Sequence, residues 1–249
     1  MIKTTGVALV TGASRGLGAA TALLLGRKGY AVGVNYNENE DKAQDIVTTI
    51  QREGGKAIAV QADVGDEKQI DKMFNIIDHE LGPLTVLINN AGYTGRRCKV
   101  LDLDIKEIQR TIDTNITGLI LCAREAIKRM AKSCGGKGGT IINLSSQAGQ
   151  FGGNHISPYA ASKAAVNIFT VGLSREVGPE GIRVVAVSPG VIDTGQADML
   201  DPKMKQSLLD SIPLRKIGEP NDVATVIHWL LSNEASYLTG VVLPVAGGR

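Results

Sequence analysis

Short apolar runs and longer amphipathic stretches alternate along this chain, and each predicts an element. Val7–Val10, Ala31–Tyr36, Ala57–Gln61, Leu84–Ile88, Thr140–Leu144, Ile182–Val187 and Val241–Val245 are four to six residues long and mostly Val, Ile, Leu or Ala. Runs of that length and makeup read as buried strands. Between them, Ala19–Lys28, Asp41–Arg52, Glu67–Leu81, Ile105–Lys132, Ala164–Val177 and Asn221–Leu231 carry the pattern of helices. Strands alternating with helices of this length imply a parallel sheet covered on both faces. The expectation is an α/β fold: one doubly wound parallel sheet of about seven strands, in a single domain over residues 1–249. The alternation breaks over 195–214, which is polar and Met-bearing without a clear period. That stretch is expected to be a substrate-facing lid insertion.

Ligands on such sheets sit outside the carboxyl ends of the strands. Thr11-Gly12, Asn35, Asp63, Asn89-Asn90 and Ser145-Ser146 all fall at those ends. The first strand runs into Gly12-Ala13-Ser14-Arg15-Gly16-Leu17-Gly18 and then a helix. Glycines let the backbone turn tightly and approach a pyrophosphate, and the helix N-terminus offers unpaired N–H groups to it. The spacing is Gly-x-x-x-Gly-x-Gly, and a plain glycine-bearing turn is the competing explanation. The second strand ends at Asn35-Tyr36, with no carboxylate before Glu38. A carboxylate there would read a free ribose hydroxyl and repel a 2′-phosphate. Its absence, with Arg15 able to pair with a phosphate, favours NADP(H) over NAD(H). The counter-reading leaves Arg15 solvated and turns Glu38 inward.

Tyr159 and Lys163 are four residues apart, so on a helix they share one face. Ser146 closes the apolar strand Thr140–Leu144. A hydroxyl, a phenol and an ammonium together can move a proton on and off a substrate oxygen. A surface Tyr–Lys pair would explain the spacing equally well taken alone. Asn115 lies inside a helical stretch close to Gly118, a locally unfavourable combination. It marks either a bend that frees a backbone carbonyl or a plain helix contact.

Composition narrows the partners. The chain has 249 residues, 43% hydrophobic and 21% charged, with a net charge of +2 and no basic cluster beyond Arg96-Arg97. Neither a nucleic acid nor an anionic membrane is indicated. Cys98, Cys122 and Cys134 lack metal-site spacing and read as reduced thiols of a cytoplasmic protein. The N-terminus shows no signal-peptide pattern, and no apolar run is long enough to span a membrane.

Taken together, Thr11-Gly12-x-x-x-Gly16-x-Gly18, Asp63-Val64, Asn89-Asn90-Ala91-Gly92, Asn115, Ser146, Tyr159-x-x-x-Lys163 and Pro189-Gly190 resemble the short-chain dehydrogenase/reductase family. The match runs from about residue 5 to the C-terminus. It implies a Rossmann-type sheet, a nicotinamide cofactor, a small carbonyl or alcohol substrate, no metal, and a homotetramer. It also implies a tetrad of Asn115, Ser146, Tyr159 and Lys163, with Ser146 preferred to Ser145 for its spacing to Tyr159. Carried over residue by residue, Ser14, Arg15, Leu17 and the three glycines would hold the pyrophosphate end. Asn35 and Tyr36 would lie at the adenosine ribose, and Asp63, Val64, Asn90, Ala91 and Gly92 would also bind the cofactor. Pro189, Gly190, Ile192 and Thr194 would hold the carboxamide side, with Tyr159 and Lys163 at the nicotinamide ribose.

In the implied mechanism Tyr159 gives a proton to the substrate oxygen and Ser146 holds that oxygen. Lys163 is expected to pull the phenol below its usual pKa near 10. Asn115 would hold a water linking Lys163 to solvent. Three substrate classes stay open: a 3-oxoacyl carrier-protein, a sugar, and a general carbonyl compound. Lys137 suits an acidic carrier, whereas Glu180 would repel one. Met199, Leu200, Met204 and Leu208 are possible pocket lining, and His155 is either lining or, more simply, a solvated loop histidine. A cofactor-binding sensor without turnover is the competing class; retention of all four tetrad residues argues against it.

Overall fold

The computed structural model describes residues 5–195 and 201–249. Its centre is a seven-stranded sheet in the order β3-β2-β1-β4-β5-β6-β7. The strands are β1 (Gly6–Val10), β2 (Tyr30–Tyr36), β3 (Lys56–Gln61), β4 (Leu84–Asn89), β5 (Gly139–Leu144), β6 (Ile182–Pro189) and β7 (Val242–Val245). Every neighbouring pair is parallel. The order reverses beside β1, so the carboxyl ends of β1 and β4 flank a crevice at the switch point.

A strand buried on both faces must be apolar at successive positions, and β1 follows that rule. Ala8 and Val10 pack into one core with α1 (Gly16–Arg27), α2 (Glu40–Arg52) and α9 (Pro220–Leu230). Val7 and Leu9 point the other way, into a second core with α3 (Glu67–Glu80), α5 (Leu119–Met130) and α7 (Ser157–Val177). The helices therefore cover both faces, as the sequence pattern predicts.

Three segments differ from expectation. The stretch Ile105–Lys132 is not one continuous α-helix. It divides into α4 (Ile105–Ile112), a π-helical turn over Asp113–Gly118, and α5. The expected bend at Asn115 is this wider turn, in which i→i+5 bonding rotates side chains off the α-helical register. Gly118 permits it, because a Cβ there would stand within van der Waals overlap of the Val64 carbonyl after β3. The helix carrying Tyr159 starts at Ser157, not at Ala164, with Pro158 in its first turn where no N–H is needed. Within 195–214, residues 202–210 form a helix, α8 (Pro202–Asp210). Asp201 caps it by accepting a hydrogen bond from the Lys203 N–H at 2.9 Å. Met199 and Leu200 lie outside the described residues.

Among the described residues no helix is long and apolar enough to cross a membrane. A short helix, α6 (Ala148–Phe151), follows β5 and packs on α7.

Candidate active site

The glycine turn after β1 is braced from behind by asparagine side chains. Gly12 and Gly16 adopt left-handed backbone angles, φ +61° and +58°, which a side chain would strain. The Gly12 N–H donates to Asn35 Oδ1 at 3.0 Å. Asn35 Nδ2 in turn donates to the carbonyls of Tyr36, Val60 and Ala62. From the other side, Asn90 Nδ2 donates to the carbonyls of Thr11 (2.8 Å) and Gly12 (3.0 Å). The Thr11 hydroxyl accepts from the N–H groups of Asn90 and Ala91, each at 3.0 Å.

These bonds revise two assignments. Asn35 is fully enclosed and its amide is spent on the turn, so it shapes the site without offering its side chain to a ribose. Tyr36 packs into the hydrophobic core. From that strand end Asn35, Asn37, Glu38 and Asn39 line the crevice, and of these Asn37, Glu38 and Asn39 are the exposed ones.

The crevice over the carboxyl ends has a volume of about 1200 Å³. Ser14, Arg15, Gly16 and Leu17 form its wall at the N-terminus of α1, and Gly18 lies buried just behind them. Asp63 and Val64 line it next, followed by Ala91 and Gly92 after β4. Asp63 Oδ1 accepts from the Gly65 N–H at 2.8 Å, which fixes that loop. Thr194 completes the rim above Gly16, to which its methyl group lies close. Pro189 ends β6, and Gly190 sits so close to Ala246 that a Cβ would stand 2.8 Å from that Cα. Ile192 pairs with Gly218 as an isolated parallel bridge, holding the segment that presents Thr194. Pro189, Gly190 and Ile192 frame the crevice without lining it. Backbone turns, an exposed helix N-terminus and a cradle with no room for side chains fit a dinucleotide, so the donor set suits the group implied above.

At the far end of the crevice stand Tyr159 and Lys163, successive along one face of α7. Lys163 is buried, and its Nζ donates to the Leu144 carbonyl at 2.7 Å. Burial pushes its ammonium down to about 8. Tyr159 is mostly enclosed. Burial raises its phenol above the usual value, and the hydrogen bond with the Ser146 hydroxyl works in the opposite direction. The expectation that Lys163 depresses the Tyr159 pKa is therefore corrected. Its Nζ lies 5.6 Å from the ring centroid and is tied to a carbonyl, so desolvation prevails over its charge. Ser146 also accepts from the Ala148 N–H at 3.2 Å, which orients its hydroxyl. Ser145, by contrast, is buried and donates to the Lys163 carbonyl at 3.2 Å, making it a brace. Ser145 lines the crevice and Ser146 does not, but of the two it is the Ser146 hydroxyl that acts on the phenol.

Asn115 stands in the π-turn, at the expected bend, with its side chain engaged. Its Oδ1 accepts from the Tyr93 N–H at 2.7 Å, and its Nδ2 donates to the Tyr93 carbonyl (2.9 Å) and to Ser162 Oγ (2.9 Å). The side chain locks the loop after β4 to α7. Deeper, Asn89 donates to Asn143 Oδ1 at 3.0 Å, and Asn143 donates to Thr170 Oγ1 at 3.0 Å, tying β4, β5 and α7 together. His155 is exposed, at φ +62°, and does not line the crevice; its carbonyl accepts from the Cys98 N–H at 3.0 Å. Sequence reasoning also missed Tyr93, Lys106 and Arg110, which line the crevice from its α4 side. Nothing in the pattern of α4 separates its crevice face from a solvated one. Among the described residues no group of His, Cys, Asp or Glu is arranged to hold a metal.

A phosphate cradle at a switch point, with a hydroxyl, a phenol and a buried lysine at its far end, defines a dinucleotide-dependent oxidoreductase of the Rossmann type. The family described as "Enoyl-(Acyl carrier protein) reductase" matches residues 12–249. An uncharacterised oxidoreductase of Escherichia coli (strain K12), YgfF, is 47% identical over 98% of this chain and 99% of its own. A 3-oxoacyl-[acyl-carrier-protein] reductase of Staphylococcus aureus, FabG, is 38% identical over 99% of each chain. Among solved structures, a short chain dehydrogenase from Burkholderia cenocepacia in complex with NADP superposes with a TM-score of 0.90. It is 32% identical, and the match covers 100% of this chain and 99% of that one. A 7α-hydroxysteroid dehydrogenase complexed with NADH and 7-oxo glycochenodeoxycholic acid superposes with a TM-score of 0.91. It is 30% identical, over 98% of this chain and 94% of that one. The chain belongs to the short-chain dehydrogenase/reductase family and is an NAD(P)-dependent oxidoreductase.

Proposed function

We propose that the protein interconverts a carbonyl and an alcohol, with NADP(H) as its preferred cofactor and Tyr159 as the group that moves the proton. The observation that carries this reading is the placement of Tyr159 and buried Lys163 one turn apart on α7 at the far end of the crevice, with the Lys163 Nζ 5.6 Å from the Tyr159 ring centroid and the Ser146 hydroxyl near enough to act on the phenol. The cofactor, when bound, supplies or accepts the hydride at the substrate carbon. In the reductive direction the substrate oxygen gathers negative charge as hydride arrives. The raised pKa of Tyr159 keeps the phenol protonated at neutral pH, which is the state a proton donor needs. Ser146 steadies the same oxygen by a hydrogen bond. Lys163, below its pKa of about 8, is an ammonium that offsets the charge left on the phenolate. Asn115 acts by holding the Tyr93 loop against α7, which keeps the floor of the site in register.

The preference for NADP(H) rests on Arg15 at the cradle and on the lack of a carboxylate within β2, with Glu38, the first beyond it, lying toward Arg110. Both support a crevice that accepts a ribose 2′-phosphate. Similar proteins of known structure carry NADP in one case and NADH in another, so the reading rests on these residues. A panel of ketoacyl thioesters, sugars and diketones, followed at the reduced-nicotinamide absorbance, should reveal turnover with a higher kcat/KM for NADPH. A higher kcat/KM for NADH would overturn the cofactor assignment, and no turnover on any substrate would revive a sensor role.

For the substrate we favour a general carbonyl compound over a carrier-protein thioester. Glu180 is held ionised by the Ser133 N–H, which donates to it at 2.8 Å, and by nearby Lys132. A fixed negative charge there disfavours an acidic carrier docking past Lys137. Helix α8, in the stretch proposed as a lid, leaves Met204 exposed as adaptable apolar surface. The reading includes one domain, a cytoplasmic setting suited to three free thiols, and a homotetramer. Exposed Leu101, Ile105 and Ile112 near α4, with Ile168 on α7, support association of copies. Light scattering should return four times the 26.2 kDa chain mass; a monomer in solution would remove the tetramer.

A further inference from the structure

Two side chains meet across the adenosine end of the crevice, one from each wall. Arg110, in the last turn of α4, places its guanidinium carbon 4.4 Å from the Tyr93 ring centroid. Its Nη2 lies 4.0 Å from Glu38 Oε1, on the loop after β2. Arg110, Glu38 and Arg15 line the same crevice. The ring beneath Arg110 is itself fixed, because both backbone groups of Tyr93 are bonded to Asn115. A guanidinium stacked on a braced ring keeps its plane, so less freedom is lost when it binds an anion.

The Glu38–Arg110 pair contributes little to stability. Its side chains are 74% and 57% exposed and the contact is long, conditions under which ion pairs are worth almost nothing. Its effect on the local field is larger. Glu38 is the first carboxylate beyond β2 and stands where a ribose 2′-hydroxyl would find an acceptor. Turned toward that ribose it would favour the free hydroxyl and repel a phosphate dianion. Drawn toward α4 it does neither, and Arg110 keeps further N–H donors on the crevice side. Lys106, one turn earlier on α4, adds a second positive charge to that wall. The acids nearby are engaged elsewhere: Asp113 accepts from Gln109 Nε2 at 2.8 Å, and Asp66 caps α3.

We infer that Arg110 is a specificity-determining residue, which holds Glu38 away from the adenosine ribose and adds a second guanidinium to face a 2′-phosphate opposite Arg15. The inference rests on the NADP(H) reading and deepens it. It is tested by isothermal titration with 2′,5′-ADP and 5′-AMP, adenosine halves that carry no nicotinamide. The wild type should bind 2′,5′-ADP more tightly. Arg110→Ala should weaken 2′,5′-ADP about tenfold, the scale of one charge-assisted hydrogen bond at a partly exposed site, and leave 5′-AMP nearly unchanged. Glu38→Gln should change wild-type binding of 2′,5′-ADP little, and added to Arg110→Ala it should recover part of the loss. The assignment is overturned if Arg110→Ala weakens both nucleotides alike or neither, or if Glu38→Gln recovers none of the loss in the Arg110→Ala background. A wild type that binds 5′-AMP more tightly would bring down the NADP(H) reading and this inference with it. A wild type that prefers 2′,5′-ADP, with a variant that keeps the preference, would bring down Arg110 alone.

Discussion

Tyr159→Phe is expected to lower kcat about a thousandfold, within the usual range for loss of a positioned acid–base group. Nucleotide affinity should stay near the wild-type value. The phenylalanine keeps the ring and its packing on α7, so only the hydroxyl is lost. That hydroxyl is the partner of Ser146 and is held protonated by burial. Without it, the oxygen of a reduced substrate has no proton source at van der Waals range, and Ser146 is left with the Ala148 N–H as its neighbour. The glycine turn lies at the other end of the crevice, braced by Asn35 and Asn90, and does not depend on the phenol. Steady-state kinetics paired with a nucleotide titration separate the two effects. Unchanged kcat would take Tyr159 out of the mechanism. A parallel loss of nucleotide binding would make it a structural residue.

Much of this site was legible because its parts sit where strand and helix periods end. The apolar runs marked the seven strands to within a residue or so, and the polar residues that follow them had to be at the carboxyl edge. Gly12, Gly16 and Gly18 were legible because a phosphate cradle has a backbone requirement that sequence states directly. What sequence does not state is where a side chain at a strand end points. Asn35 and Asn90 stand at the right edge, yet their amides turn inward to the backbone of the glycine turn. The same limit applies to Asn115. A π-turn was not readable from Asp113–Gly118, and its rotation decides that Asn115 clamps Tyr93. Arg110 was invisible for a different reason. It lies on the polar side of an amphipathic helix, and only tertiary packing shows that this side looks into the crevice. The Tyr159–Lys163 spacing gave proximity without the electrostatics. Burial of both groups outweighs their mutual influence and moves each toward its neutral form.

Lys163→Met is expected to cost a hundredfold or more in reductive kcat/KM, on the order expected for an acid–base partner, and to remove one limb of the pH profile. In the folded protein the Lys163 pKa lies at about 8, below its ordinary 10.5. The ammonium is therefore present below about pH 8 and is lost above it, while the Tyr159 phenol, shifted upward, is still protonated there. Reductive kcat/KM reports the free enzyme, so in the wild type it should fall as pH rises through about 8. The methionine has no proton to lose, so this fall should vanish and leave a lower, flatter profile over the same range. Stability should follow the opposite sign. Between about pH 8 and 10.5 the unfolded chain binds the lysine proton more readily than the folded one. Wild-type stability consequently rises with pH across that window, as far as this one group determines it. Below the window the folded protein carries the full cost of a buried ammonium, partly offset by its bond to the Leu144 carbonyl. Methionine fills a similar volume without the charge, so the variant should melt no lower than the wild type at pH 7. A variant that keeps the fall in kcat/KM near pH 8 would show that another group titrates there. A variant that melts far lower at pH 7 would show that Lys163 is retained for folding, with its part in proton transfer secondary.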